Sequence, residues 1–225
     1  MCSSDLKFQK DNLPHKIRDP RLHTGYIFAP LSTLSGDLIS YHMDNGGFNY
    51  CVIDAAGYGT VAAMEAYAVQ MMVNYKQFKN PSEFIDSVNQ RYAEGEGSRL
   101  FTLTSGRISF AEDKLYLCQA GHPNSYLIRT TAINIVERLG KGGLPIGYTK
   151  DVEHELYSYD LLPNDILLTF SENFTEDCTS SLEQLLASLP SMDIGELEAV
   201  LETWLKSVSQ TDDISAVLMI YKPDS

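Results

Sequence analysis

Two apolar runs, Asp37–Met43 and Phe48–Asp54, flank the tetrapeptide Asp44-Asn45-Gly46-Gly47. Asn-Gly in such a place is the strongest short-range hairpin signal, because both residues tolerate the positive φ of a tight turn. A two-residue turn also fixes the register of every pair behind it. With Asn45-Gly46 as the loop, Asp44 pairs with Gly47, and counting outward sets Asp37 directly across from Asp54. Opposed residues on antiparallel strands hold their Cβ atoms about 4.5–5.5 Å apart, and like charges there repel. One of two such carboxylates keeps its proton unless a cation sits between them. A hard divalent ion such as Mg2+ or Mn2+, which prefers oxygen ligands, suits that position.

Further acids stand where apolar strands give way to surface. Ile166–Phe170 runs into Ser171-Glu172-Asn173, and Thr211-Asp212-Asp213 leads into the apolar run Ile214–Tyr221. A single acid of this kind is ordinarily a helix cap or a solvated turn residue. The case for a site rests on the set. Val52 to Gly59 (VIDAAGYG) also resembles the first loop of cofactor-binding doubly wound folds, S-adenosylmethionine-dependent methyltransferases included, but a lone glycine pattern is weak. That fold needs a parallel strand after its first helix. Here a second helix follows and a hairpin precedes.

The rest of the chain reads as clustered strands and clustered helices. Thr60–Phe78 has apolar residues at helical spacing, and its Met64–Met72 stripe reads as core. Pro81-Ser82-Glu83 opens a second helix toward Tyr92. Strands are expected at Leu100–Thr104, Arg107–Phe110, Lys114–Gln119, Ser125–Arg129, Asn134–Arg138, His154–Tyr159, Ile166–Phe170 and Ile214–Tyr221. Helices are expected at Ser181–Leu189 and Ile194–Ser207. The absence of strict alternation indicates an α+β fold with mainly antiparallel sheets. Residues 1–24, polar and aperiodic, read as a lead-in or linker remnant, and 25–225 as a single domain.

Composition narrows the partners. The 44% hydrophobic content is enough for a sizeable core. No apolar stretch approaches the roughly 20 residues that span a bilayer, and no basic-then-apolar leader opens the chain. Four scattered cysteines without a CxxC pair fit reduced thiols, so the expected location is cytoplasmic, with no membrane contact. A net charge of −13, from 17 basic and 30 acidic residues, argues against nucleic acid as a partner. It leaves open a phosphate-bearing substrate held through divalent cations.

Six motifs then fall in a familiar order. They are Ser35-Gly36-Asp37; Asp54-Ala55-Ala56-Gly57-Tyr58-Gly59 with Ala62-Ala63-Met64 behind it; Gln119-Ala120-Gly121-His122-Pro123; Gly143-Leu144-Pro145-Ile146-Gly147; Phe170 to Glu176; and Asp212-Asp213-Ile214-Ser215. Together they resemble the metal-dependent serine/threonine protein phosphatases of the 2C (PPM) type, in the bacterial branch that controls sporulation and stress sigma factors. Gln9 to Pro14 is similar to the end of that family's linker helix.

The resemblance implies an αββα sandwich of two mainly antiparallel sheets flanked by helices. It also implies up to two Mn2+ or Mg2+ ions at the strand ends, bridged by a water that attacks phosphorus. Asp54 would bridge the ions, the Ala55 carbonyl would ligate one, and Glu172 and Asp212 would complete the other. Asp37 and Asp213 would hold metal-bound water, and Asp37, Asp54 and Asp212 would carry the catalysis. The implied substrate is a phosphorylated signalling protein, a STAS-type anti-sigma-factor antagonist, with an upstream sensor or receiver domain in the full-length protein. Glu172 stands where the family has aspartate, moving the carboxylate about 1.5 Å further from the backbone. Asn173 replaces a glycine. Such a site is either retuned or belongs to a degenerate phosphatase domain that binds a partner without hydrolysis. His122 reads as a turn histidine rather than a general acid, and Tyr58 stands where the family has histidine.

Overall fold

The computed structural model describes residues 3–32, 34–57, 59–76, 78–93, 100–121, 124–130, 134–171 and 174–223. Its elements in chain order are α1 (Ser3–Asp11), β1 (Arg18–Asp19), β2 (Leu22–Ala29), β3 (Asp37–Asp44), β4 (Gly47–Ala55), α2 (Thr60–Lys76) and α3 (Pro81–Ala93). There follow β5 (Phe101–Ser109), β6 (Lys114–Ala120), β7 (Ser125–Arg129), β8 (Ile135–Leu139), β9 (Leu156–Asp160) and β10 (Ile166–Phe170). The chain closes with α4 (Glu176–Ala187), α5 (Ile194–Leu205) and β11 (Ile214–Tyr221). One sheet runs β1-β2-β11-β10-β7-β8 and the other β3-β4-β5-β6-β9. Every pairing between these strands is antiparallel.

Three apolar layers hold the sandwich. Alternation along β4 sends Phe48, Tyr50 and Val52 toward the opposite sheet, where they meet Leu167, Val217 and Met219. The intervening Cys51, Ile53 and Ala55 turn the other way and pack on Ala62, Ala66 and Val69 of α2 and on Phe84, Ile85 and Val88 of α3. On the far side, Leu182 and Leu186 of α4 and Leu197, Leu201 and Trp204 of α5 cover Leu168, Phe170, Ala216 and Leu218. The strands β10 and β11 are therefore buried along their whole length, because a helix layer covers one face and a sheet the other. Each fully buried leucine contributes roughly 1.5–3 kcal/mol.

The hairpin register is the expected one, with Asp44 across from Gly47 and Asp37 across from Asp54. Elsewhere the structure departs from the sequence pattern for identifiable reasons. The runs Leu100–Thr104 and Arg107–Phe110 form one strand, β5, which Gly106 continues rather than breaks. A Cβ at Gly106 would lie 2.2 Å from the Tyr50 ring, which occupies the place of the missing side chain. Helix α4 starts at Glu176, ahead of the expected Ser181, because the Thr175 hydroxyl accepts the Cys178 N–H as an N-cap. The methionine stripe of α2 is core only in part: Met72 packs half-buried against the core, but Met64 and Met71 are each 67% exposed. The small residues Ala62, Ala66 and Val69 form the buried face instead. Within residues 1–24, α1 forms and β2 pairs with β11 from Leu22 onward. Among the described residues no helix is long and apolar enough to cross a membrane.

Candidate active site

The side-chain period of two decides where the paired aspartates face. Val52 lies on the inter-sheet face of β4, so Asp54 does too, and its partner Asp37 shares that face. Both stand at the end of β3–β4 that meets the end of β10 and the start of β11. The contact is direct: the Ser171 hydroxyl, just beyond β10, donates to Asp37 Oδ2 at 2.5 Å. Ser171 Oγ in turn accepts the Ser215 N–H at 2.9 Å, so one buried serine joins both central strands of the first sheet to the second.

Asp213 anchors the same corner. It is buried, and its two carboxylate oxygens accept the backbone N–H groups of Leu31 at 2.6 Å and Gly36 at 3.0 Å. These bonds hold the β2–β3 connection against β11. Gly36 passes its carbonyl to the Ala55 N–H at 3.2 Å, and a Cβ there would lie 2.7 Å from the Ala55 carbonyl oxygen. Only glycine allows that approach. Asp212 is half-buried, and its Oδ1 accepts the N–H of Asp213. From the N-terminal side, the buried Gln9 amide bonds both backbone groups of Ser35, whose hydroxyl accepts the Asp37 N–H.

The electrostatics follow from burial and like charge. Burial pushes the Asp37 carboxyl well above the usual range, and the neighbouring Asp54 adds to it while Ser171 pulls the other way. Asp54 is raised to about 6, first by burial and then by Asp212 and Asp213, against a hydrogen bond from Thr102. Thr102 stands directly across from Asp54 on β5. No lysine or arginine appears among the leading influences on either carboxyl.

Asp37, Asp54, Ala55, Asp212 and Asp213 thus gather at one end of the sandwich. Glu172, His122 and Tyr58 lie outside the described residues. Among the described residues no three acids, histidines or cysteines form a ready metal cage. The donor set nonetheless fits hard divalent ions, being carboxylate oxygens on two buried and two half-buried aspartates that no lysine or arginine among the described residues prominently offsets. Ser171, Thr102 and the Gln9–Ser35 contact were not singled out as site residues from the sequence. The one available signal was a hydroxyl at the end of the fully apolar strand Ile166–Phe170.

Residues 44–222 match the family described as Stage II sporulation protein E (SpoIIE). Phosphoserine phosphatase RsbU of Bacillus subtilis (strain 168) is 23% identical over 167 residues, which are 71% of this chain and 48% of RsbU. The chain thus spans about half the length of that relative. RsbX in complex with magnesium superposes with a TM-score of 0.73 at 16% identity, over 92% of this chain and 98% of its own. The PP2C phosphatase domain of SpoIIE from Bacillus subtilis, with a fragment of its regulatory domain, gives a TM-score of 0.73 at 18% identity, over 92% of this chain and 64% of that one. The αββα sandwich expected from the motifs is the observed fold.

Proposed function

The chain belongs to the Stage II sporulation protein E (SpoIIE) family of PP2C-type serine phosphatases, and on that footing we propose that it is a divalent-metal-dependent phosphatase acting on phosphoserine or phosphothreonine of a signalling protein. The observation that carries the proposal is the opposed pair Asp37–Asp54 at the sheet ends, Asp37 buried and Asp54 half-buried, with Asp212 acting on Asp54 and no lysine or arginine among the described residues prominent in offsetting them. Mn2+ or Mg2+ would be held by Asp54, the Ala55 carbonyl, Asp212 and Glu172, with Asp37 and Asp213 behind them. When bound, such ions supply the positive charge that neutralises a phosphoryl group and makes water nucleophilic at neutral pH.

The chain's own residues do the positioning. Ser171 orients the Asp37 carboxyl, Thr102 orients that of Asp54, and Asp213 fixes the Gly36 backbone that carries Asp37. Glu172 is a retuned ligand in this reading. The substrate is a phosphorylated STAS-type antagonist, in keeping with the phosphoserine specificity in RsbU's name. Residues 25–225, together with the sheet residues Arg18–Thr24 that precede them, form the catalytic domain in this reading, working in the cytoplasm under an upstream sensor or receiver domain.

Phosphate release from a phosphoserine peptide tests this, with wild type, Asp54→Asn and Glu172→Asp each assayed with and without Mn2+. Release by wild type only with the ion, lost by about a hundredfold or more in Asp54→Asn and kept or raised in Glu172→Asp, supports the enzyme. No release by wild type at millimolar Mn2+, and none gained in Glu172→Asp, leaves a partner-binding module on a phosphatase fold.

A further inference from the structure

A cleft of about 430 Å3 opens between the start of α4 and the α5–β11 connection. Its apolar walls are Phe174, Val208 and Ile214, and Cys178 and Asp177 line it from the first turn of α4. Thr211, also in the wall, immediately precedes Asp212, so the cleft wall comes within one residue of the acidic corner. The Gln210 amide pins that wall by donating to the Ala29 carbonyl at 2.6 Å and the Asp212 carbonyl at 2.9 Å. Among the described residues no lysine or arginine lines the cleft, and the exposed Asp177 carboxylate has no partner there.

We infer that this cleft is a substrate subsite that takes a long basic side chain, arginine or lysine, flanking the phosphorylated residue. The inference rests on the phosphatase reading above and names what that site recognises. An aliphatic stem would lie on Phe174, Val208 and Ile214 while the charged head reaches Asp177 and the surrounding hydroxyls, the usual division of a snorkelling side chain. Charge supports that occupant over an acidic or purely apolar one. A phosphopeptide approaching a chain of net charge −13 is repelled, and a flanking cation seated at Asp177 offsets that repulsion close to the acidic corner.

Phosphoserine peptides carrying one arginine at each flanking position in turn, against their alanine counterparts, test the inference alongside p-nitrophenyl phosphate. Wild type should favour at least one arginine peptide by about fivefold in kcat/KM, mainly through KM, as expected for one exposed ion pair. Asp177→Asn should abolish that preference and leave p-nitrophenyl phosphate hydrolysis unchanged. No preference in wild type, or a preference that survives Asp177→Asn, overturns the subsite while the phosphatase stands. A turnover-independent reading comes from Cys178, half-exposed in the cleft wall, whereas Cys51 and Cys118 are buried with thiols pushed up to about 12. The arginine peptide should slow alkylation of Cys178, mapped by mass spectrometry, more than the alanine peptide does. Equal protection by both peptides, or none, overturns the subsite even if no peptide is hydrolysed.

Discussion

Asp37 and Asp54 carry the same charge on adjacent strands, and the fold removes most of the water that would screen them. Both carboxyls are raised, so the folded chain binds more protons than the unfolded chain between their unfolded and folded values. The stability supplied by those protons is fully present below about pH 4. It is lost as pH rises through about 6 for Asp54, and through the likewise raised value of Asp37. Ion-free protein should therefore unfold at lower temperature at pH 8 than at pH 5, and Asp54→Asn should flatten that difference in EDTA. An equally steep decline in Asp54→Asn would place the cost elsewhere. Ser171→Ala removes one hydroxyl from Asp37 and from the Ser215 N–H, both buried. The expected loss is about 1–3 kcal/mol, read by urea unfolding.

Among the elements, the β3–β4 hairpin was fully legible in the sequence because two turn residues settle its register without help from the rest of the chain. Longer-range effects were not legible. Gly106 reads locally as a break, and only the ring of Tyr50 from the neighbouring strand makes it a strand residue. Met64 and Met71 of α2 read as core but face solvent while Met72 packs inward, because periodicity reveals a helix but not which of its apolar positions meet the sheet. Ser171 escaped notice for the same reason: its partners, Asp37 and Ser215, are distant in sequence. Local capping signals behave differently. Asp193 and Glu196 form a reciprocal capping box at the start of α5, away from the acidic corner. Asp193→Ala should cost about 1 kcal/mol in thermal unfolding and leave phosphatase activity unchanged. A comparable loss of activity would mean that α5 reports on the site.

For the molecule as a whole, two sheets and two helix layers bring residues 37, 54, 212 and 213 to one end of the sandwich. The motif order made that architecture readable in advance, whereas the hydrogen bonds that fix the corner could be read only from the fold. Binding of Mn2+ to chelator-stripped protein at neutral pH, followed by the electron paramagnetic resonance signal of the free ion, tests the central claim most directly. The expected result is saturable binding by wild type, weakened by about tenfold or more in Asp54→Asn and unchanged in Asp193→Ala. Wild-type protein that takes up no Mn2+ in the millimolar range, or Asp54→Asn protein that binds it equally well, would contradict a divalent-ion centre at the opposed aspartates.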